Sequence, residues 1–241
     1  MKKNHPTGPL FKWFGSKWLS SKKYPGPEEY DNLFEPFAGS ASFALRFWKK
    51  KVTIFENNKL LANLWNWLID EADSKLIMEI PTGLPPYFNI QSLDLSYGQQ
   101  LLLKHWQRTN NYGNCWTTSP WGHMPGQWTS STRERVAREI EFIKHWKFEQ
   151  PSYKEAGFYF IDPPYLYNYK YGSDDFNYVK LVEQISSIPS KSAVLACEAI
   201  CPKTGSVPDY LPFEFFGDRI TSRRKKENNH HSKELMYFSE K

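Results

Sequence analysis

The sequence contains 241 residues, of which 40% are hydrophobic, 24% charged and 17% aromatic, with a net charge of +5 at pH 7. This length is typical of one or two domains, and the many aromatic residues exclude global disorder. No apolar run reaches the roughly 18 residues that span a membrane, and residues 1–6 lack the apolar core of a signal peptide. We therefore expect no membrane partner. Because three cysteines do not make a disulfide framework, we also expect a reduced, cytoplasmic protein.

The first predicted elements alternate between strand and helix. Residues 32–40 predict a short strand that runs into a glycine turn, and the apolar spacing of residues 41–48 predicts a helix. The β-branched segment 51–55 predicts a second strand, which ends at Glu56. This order of strand, turn, helix and strand requires a parallel sheet, since a long crossover is needed between parallel strands.

The middle of the chain has a different character. A helix is predicted over residues 60–68, and residues 81–132 are then rich in Pro, Gly, Asn and Trp with weak periodicity. That stretch is too long for a connection inside a compact sheet domain. We therefore expect an inserted, mainly helical module at residues 70–145, and a sheet domain formed by residues 1–69 and 146–241.

The last part of the chain returns to alternating elements. Residues 131–134 have a capping-box pattern, which predicts the start of a helix that continues over residues 136–146. The later predicted elements are a buried strand at 157–161, a helix at 178–188, a strand at 193–197, and closing strands near 213–221 and 234–238 that a basic turn joins. The predicted fold class is therefore α/β.

The most informative motif is Asp162-Pro163-Pro164-Tyr165, at the end of a predicted strand. Successive prolines lack amide donors and have a fixed φ, so they end the strand and stiffen the chain. They would hold the Asp162 carboxylate and the Pro163 carbonyl as two rigid acceptors beside an aromatic ring. This array suits a planar amino group, while the structural alternative is a Pro-Pro turn capped by an aspartate.

Two acidic residues and a glycine turn follow the first two predicted strands. Ligands of an open parallel sheet bind beyond the carboxyl ends of its strands, where Glu35 and Glu56 are expected. Gly39 can adopt a positive φ, which lets a ligand approach the backbone. Neither a P-loop nor a complete Gly-x-Gly-x-x-Gly fingerprint is present, so a nucleoside fits better than NAD. Ordinary α/β turn chemistry accounts for these residues equally well.

In their order along the chain, these motifs resemble the Dam-type DNA adenine methyltransferases. The catalytic tetrapeptide alone also occurs in other amino-methyltransferases, but the ordered set is specific. The segments that carry the resemblance are Trp13-Phe14-Gly15-Ser16-Lys17, Glu35-Pro36-Phe37-Ala38-Gly39-Ser40, Glu56-Asn57-Asn58, Arg108-Thr109-Asn110, Gly113, Pro120-Trp121-Gly122, Asp162 to Tyr165, and Glu234-Leu235-Met236-Tyr237. The departures from the family pattern are Ala41 in place of a second glycine, Ser152 in place of an aspartate, and Thr118 in place of an asparagine.

The resemblance implies a Rossmann-like S-adenosylmethionine-dependent methyltransferase sheet that carries an inserted target-recognition module. It also implies methyl transfer to the exocyclic amine of adenine in double-stranded DNA, after base flipping and without a metal ion. The implied catalytic residues are Asp162, Pro163, Pro164 and Tyr165. The implied cofactor-binding residues are Trp13, Phe14, Lys17, Glu35, Pro36, Phe37, Ala38, Gly39, Glu56, Asn57 and Asp162.

Residues of the types that reach base edges or phosphates lie within the predicted module. The candidate DNA-binding residues are Arg108, Asn110, His123 and Arg133. A solvated helix face with arginines paired to neighbouring glutamates explains Arg133 equally well. Cys197 and Cys201 lack the four spaced ligands of a zinc site, so no metal is expected.

Two alternative functions remain open from the sequence. One keeps the cofactor but changes the acceptor to a cytosine amine or to RNA. The other is a non-catalytic nucleic-acid-binding protein on the same scaffold. We expect a monomer, with a restriction endonuclease as a further candidate partner.

The stacking role of Tyr165 leads to a first prediction. Replacement of Tyr165 by Phe should preserve more methyl transfer than replacement by Ala, because stacking needs the ring and not the hydroxyl. Radiolabelled methyl transfer into DNA measures both variants. Equal losses in the two variants would contradict the stacking role.

Overall fold

The computed structural model describes residues 5–107, 115–122, 124, 126–164, 176–199, 220–221 and 233–240. The chain forms two compact units, each assembled from several segments. The first unit consists of residues 1–19, 38–49 and 56–148, and the second consists of residues 20–37, 50–55 and 149–241. The boundaries predicted for the inserted module, residues 70–145, are not tested by these two units and stay a prediction.

The second unit is built on a mixed β-sheet, which confirms the predicted α/β class. Its strands are β1 (Asn32–Glu35), β2 (Lys51–Ile54), β4 (Phe158–Ile161), β5 (Ala193–Ala199), β6 (Ile220–Thr221) and β7 (Lys233–Glu240), with β3 (Lys147–Phe148) at the end of the first unit. The six strands of the second unit lie in the order β2-β1-β4-β5-β7-β6. The first four are parallel to one another, whereas β7 is antiparallel to both β5 and β6. This arrangement is compatible with a Rossmann-like fold.

β4 occupies the centre of this sheet because its sequence is apolar on both faces. All four of its residues are buried, as expected for a parallel strand that is covered on both sides. The helix α5 (Tyr178–Ser186) covers one face through Leu181 and Ile185. These side chains share a core with residues of β1, β4 and β5, namely Phe34, Tyr159, Ile161, Val194 and Ala196.

The first unit is mainly helical. Its α-helices are α1 (Lys59–Asn66), α2 (Ser74–Glu79), α3 (Tyr97–Gln107) and α4 (Ser130–Glu139), and a π-helical turn (Trp67–Glu71) continues α1. The longest of them, α3, is buried at nearly every position from Gly98 to Gln107. Polar residues are among the buried positions of this helix, namely Gln99, Lys104, His105 and Gln107, so its apolar residues do not follow the helical period that would have predicted it. None of the helices in the described part of the chain is long and apolar enough to cross a membrane.

Two predicted helices are wrong in their limits. The helix predicted over residues 41–48 is reduced to a 3₁₀ turn (Ala44–Phe47), because Ala41 has a left-handed backbone with φ of 44°. The helix predicted from the capping box at residues 131–134 instead begins after Thr129, whose side chain accepts a hydrogen bond from the amide of Thr132. It ends at Glu139 and continues only as a 3₁₀ turn (Ile140–Ile143), not to residue 146.

The start of α1 leads to a second prediction. The side chain of Asn58 accepts hydrogen bonds from the amides of Leu60 and Leu61, at 3.1 and 3.2 Å. Asn58→Ala should lower the free energy of unfolding by about 1 kcal/mol, since these two amides lose their acceptor. Asn58→Asp, which keeps an acceptor at the cap, should lower it much less. Urea denaturation measures both variants, and equal losses would contradict the capping role.

Candidate functional site

In the second unit, two predicted site segments follow neighbouring parallel strands. Leu33 of β1 lies opposite Phe158 of β4, and Phe34 lies opposite Tyr159. Because the strands are parallel, both end at the same edge of the sheet. Glu35 is the last residue of β1 and is buried, and Asp162 follows β4 directly and is half-buried, with its Oδ1 atom shielded from solvent.

This edge is also where the strand order reverses. The chain passes from β1 to β2 on one side, and β4 lies on the other side of β1. In open α/β sheets, ligands bind outside the carboxyl ends of the strands at such a switch point. The sequence therefore places Glu35 and Asp162 where a ligand of this sheet is expected.

The Pro-Pro turn after Asp162 is held by a residue that the sequence analysis missed. The hydroxyl of Tyr178 donates a hydrogen bond of 2.7 Å to the carbonyl oxygen of Pro164. The ring of Tyr178 packs edge-on against Phe176 at 4.8 Å between centroids, and Phe176 packs edge-on against Phe37 at 5.6 Å. Pro163 is buried. The turn is therefore held by the rigid proline rings, by the hydrogen bond from Tyr178, and by the packing of aromatic side chains.

In the first unit, Gly39 lies in a turn that requires glycine. Its φ is +49°, and a Cβ atom at this position would lie 2.6 Å from Cδ1 of Trp13. The carbonyl oxygen of Gly39 accepts a hydrogen bond of 2.9 Å from the indole nitrogen of Trp65. Trp13, from the N-terminal motif, thus lies directly against the glycine turn.

Glu56 holds the same turn by its carboxylate. Oε2 accepts a hydrogen bond of 3.0 Å from the amide of Gly39, and Oε1 accepts one of 2.9 Å from the amide of Asn58. Burial raises the pKa of the Glu56 carboxyl above its ordinary value, and hydrogen bonds from the amides of Gly39, Asn57 and Asn58 oppose that rise. Glu56 therefore joins the glycine turn after β1 to the beginning of α1.

The other predicted cofactor residues differ in their exposure. Lys17 is buried, and its ammonium group donates to the carbonyl oxygen of Gly15 at 3.1 Å. Phe14 and Phe37 are half-buried, and Asn57 is exposed. Pro36 and Ala38, which flank Phe37, are buried.

His105 of α3 is a buried residue that the sequence analysis did not identify. Its ring lies 5.5 Å from the ring of Phe11 and 5.9 Å from that of Trp13. Burial, together with the charge of Lys104, lowers the pKa of His105 to about 3, so the imidazole is neutral at pH 7. A neutral ring can support Trp13 without placing a charge in the core.

Arg133, predicted to contact DNA, makes a contact within the protein. Its guanidinium donates to the carbonyl oxygen of Ile80 at 3.1 Å, beyond the end of α2. The neighbouring Arg135 forms an ion pair with Glu139 at 2.8 Å and donates to the backbone of Pro9. Both arginines therefore stabilise this unit through backbone carbonyls, and Arg135 also forms the kind of glutamate pairing that the sequence left open.

Thr118, where the family pattern has an asparagine, connects two segments of the first unit. Its backbone accepts a hydrogen bond from the amide of Tyr87 at 3.1 Å and donates to the carbonyl of Phe88 at 2.9 Å. Its hydroxyl bonds the amide of Phe88 and the carbonyl of Pro85. Thr118 is fully buried, so its role in this structure is to join these segments.

Four predicted site residues lie outside the described residues. They are the catalytic candidate Tyr165 and the DNA-binding candidates Arg108, Asn110 and His123. Within the described part of the chain, no three His, Cys, Asp or Glu side chains are grouped so that they could hold a metal ion.

A comparison of this chain with protein-family models and with curated proteins found no match.

The buried carboxylate leads to a third prediction. Because the pKa of Glu56 is raised in the folded protein, ionisation opposes folding, and the free energy of unfolding should fall as the pH rises from 4.5 through that pKa. This decrease should be smaller in Glu56→Gln. Urea denaturation between about pH 4 and about pH 8 measures the slope.

Glu134→Gln is the control, since it also removes one carboxylate but at an exposed position of α4. A wild-type slope in Glu56→Gln, or the same change of slope in Glu134→Gln, would contradict the assignment to Glu56.

Proposed function

We propose that this protein transfers a methyl group from S-adenosylmethionine to the exocyclic amine of adenine in DNA. The observation that carries the proposal is the edge of the sheet where Glu35 ends β1 and Asp162-Pro163-Pro164 follow the adjacent parallel strand β4. A carboxylate and a proline-stiffened carbonyl at a switch point suit an amino group of a planar ligand better than they suit a phosphate.

The chemistry proposed for the second unit needs two hydrogen-bond acceptors. The lone pair of an adenine amine is delocalised into the ring, so the amine is a poor nucleophile. The Asp162 carboxylate and the Pro163 carbonyl accept its two hydrogens, which favours a pyramidal nitrogen whose lone pair would face the methyl donor. When the new N–C bond forms, one of these two hydrogens would leave the nitrogen as a proton. Since the acceptors are held in place before the substrate binds, positioning and electrostatics supply most of the catalysis.

The residues of the first unit are chemically suited to a nucleoside cofactor. A carboxylate has about four acceptor positions, and the amides around Glu56 use no more than three of them. Glu56 therefore retains the capacity to accept a hydrogen bond from a ribose hydroxyl, as an acidic residue after the second strand does in dinucleotide-binding folds. Trp13, Phe14, Lys17 and Asn57 are the further cofactor contacts that the resemblance implies. When bound, S-adenosylmethionine would supply the methyl group from an already activated sulfonium, and with its S–CH3 bond broken it would leave as S-adenosylhomocysteine.

Recognition of DNA is assigned to residues 70–145. The target amine is inaccessible inside a duplex, so the base must leave the stack before it reaches Asp162. Tyr165 supplies the stacking surface for the extruded base. Because Arg133 is bound to the Ile80 carbonyl, the proposal for base and phosphate contacts depends mainly on Arg108, Asn110 and His123.

The function is tested by incubating the protein with radiolabelled S-adenosylmethionine and either double-stranded DNA, RNA or no acceptor. Nucleoside analysis of the product then identifies the methylated base. Label in N6-methyladenine of DNA is the expected result. Label in cytosine or RNA would replace the proposed acceptor, and no label in any sample would refute methyl transfer.

A fourth prediction concerns the proposed clamp. Asp162→Ala should lower methyl transfer by at least about 100-fold, because one of the two fixed acceptors is lost at the reacting nitrogen. Cofactor affinity, measured by calorimetry, should fall much less.

Asp31→Ala is the matched control, since it removes an exposed aspartate that precedes β1 in the same unit. Full activity in Asp162→Ala, or an equal loss in both variants, would exclude Asp162 from the reaction.

A further inference from the structure

The Pro-Pro turn cannot be fixed by its own amides. Pro163 and Pro164 have no N–H group, so neither can donate a hydrogen bond to a neighbouring strand. The carbonyl oxygens remain as the only backbone groups of these two residues that can be held by hydrogen bonds. At Pro164 the donor is the hydroxyl of Tyr178, at 2.7 Å, from a position 14 residues later in the chain.

The carbonyl that Tyr178 binds belongs to the peptide unit between Pro164 and the next residue. Because a peptide unit is planar, holding its oxygen fixes the direction in which the chain leaves the turn. The hydrogen bond therefore restricts the one backbone torsion of Pro164 that its ring leaves variable.

Tyr178 is itself held on two sides. It is the first residue of α5, and Asn177 caps that helix by accepting a hydrogen bond from the amide of Lys180 at 2.9 Å. Its ring packs edge-on against Phe176, which packs edge-on against Phe37. Phe37 follows β1 by two residues. These three rings, the aromatic brace, connect the segment after β1 with the turn after β4.

We infer that Tyr178 is a positioning residue for the proposed reaction, acting through the Pro164 carbonyl to keep Asp162 and Pro163 in a fixed orientation. The inference rests on the proposed function for its catalytic consequence. The brace gives the turn a rigidity that the two prolines alone do not provide, since the ψ angle of each remains a soft torsion. Tyr178 does not contact the reacting atoms in this scheme.

The chain offers a matched pair of variants for the test. Tyr178→Phe keeps the aromatic ring and removes only the hydroxyl that binds Pro164. Tyr159→Phe removes a hydroxyl that donates to the backbone carbonyl of Glu155, also at 2.7 Å. Both side chains belong to the second unit, and each variant loses one hydroxyl-to-carbonyl hydrogen bond. Tyr178 binds the carbonyl of Pro164 after β4, whereas Tyr159 binds the carbonyl of Glu155 before β4.

Steady-state kinetics of methyl transfer into DNA, with thermal denaturation of each variant, separates positioning from stability. We expect kcat of Tyr178→Phe to fall about three- to tenfold, with KM for both substrates changed by less than about twofold. Tyr159→Phe should show a similar loss of thermal stability with an unchanged kcat. An unchanged kcat in Tyr178→Phe, or equal losses of kcat in both variants, would overturn the inference.

Crystal structures of the two variants decide the inference separately from the function. If the wild type transfers no methyl group, the proposed function fails, and the orientation of the Pro164 carbonyl still tests the positioning role. We expect that carbonyl to rotate or lose its order in Tyr178→Phe and to stay in place in Tyr159→Phe. A Pro164 carbonyl that keeps its orientation in Tyr178→Phe would overturn the inference.

Discussion

The parallel pairing of β1 with β4 is the constraint on which the candidate site depends. With Leu33 opposite Phe158, the two strands run in the same direction and end at one edge of the sheet. Glu35 and Asp162 reach that edge for this reason, although 127 residue positions separate them in the sequence. The apolar character of β4 on both faces secures the pairing, because such a strand is stable only where it is covered on both sides.

Beyond the strand ends, the backbone is held by side chains and not by regular structure. In the second unit, the two prolines have no N–H group to donate, and the hydroxyl of Tyr178 donates a hydrogen bond to the carbonyl oxygen of Pro164. In the first unit, the Glu56 carboxylate supplies acceptors for the amides of Gly39 and Asn58, which follow strand ends and lie outside any ladder. In each unit, polar side chains thus hold a segment rich in predicted site residues, and at Gly39 the indole of Trp65 adds a hydrogen bond to the carbonyl oxygen.

The positive charge of the sequence is only partly available to a polyanionic partner. Arg133 is engaged with the carbonyl of Ile80, and Arg135 binds both Glu139 and the N-terminal segment at Pro9. Glu139 is almost fully buried and also accepts hydrogen bonds from Thr7. Removing either arginine would leave polar groups without their partners, so these side chains are bound to the folded chain. The net charge of +5 therefore includes arginines that are already bound within the protein.

Features with a local signal follow from neighbouring residues alone: the strands Asn32–Glu35, Lys51–Ile54 and Phe158–Ile161, the positive φ of Gly39, and the end of β4 before the two prolines. Three other features could not be predicted from neighbouring residues: the helix α3, the left-handed conformation of Ala41, and the hydrogen bond from Tyr178 to Pro164. The reason is physical. Hydrophobic period and turn chemistry are properties of neighbouring residues, whereas burial on all sides and a hydrogen bond between distant residues exist only after the chain has packed.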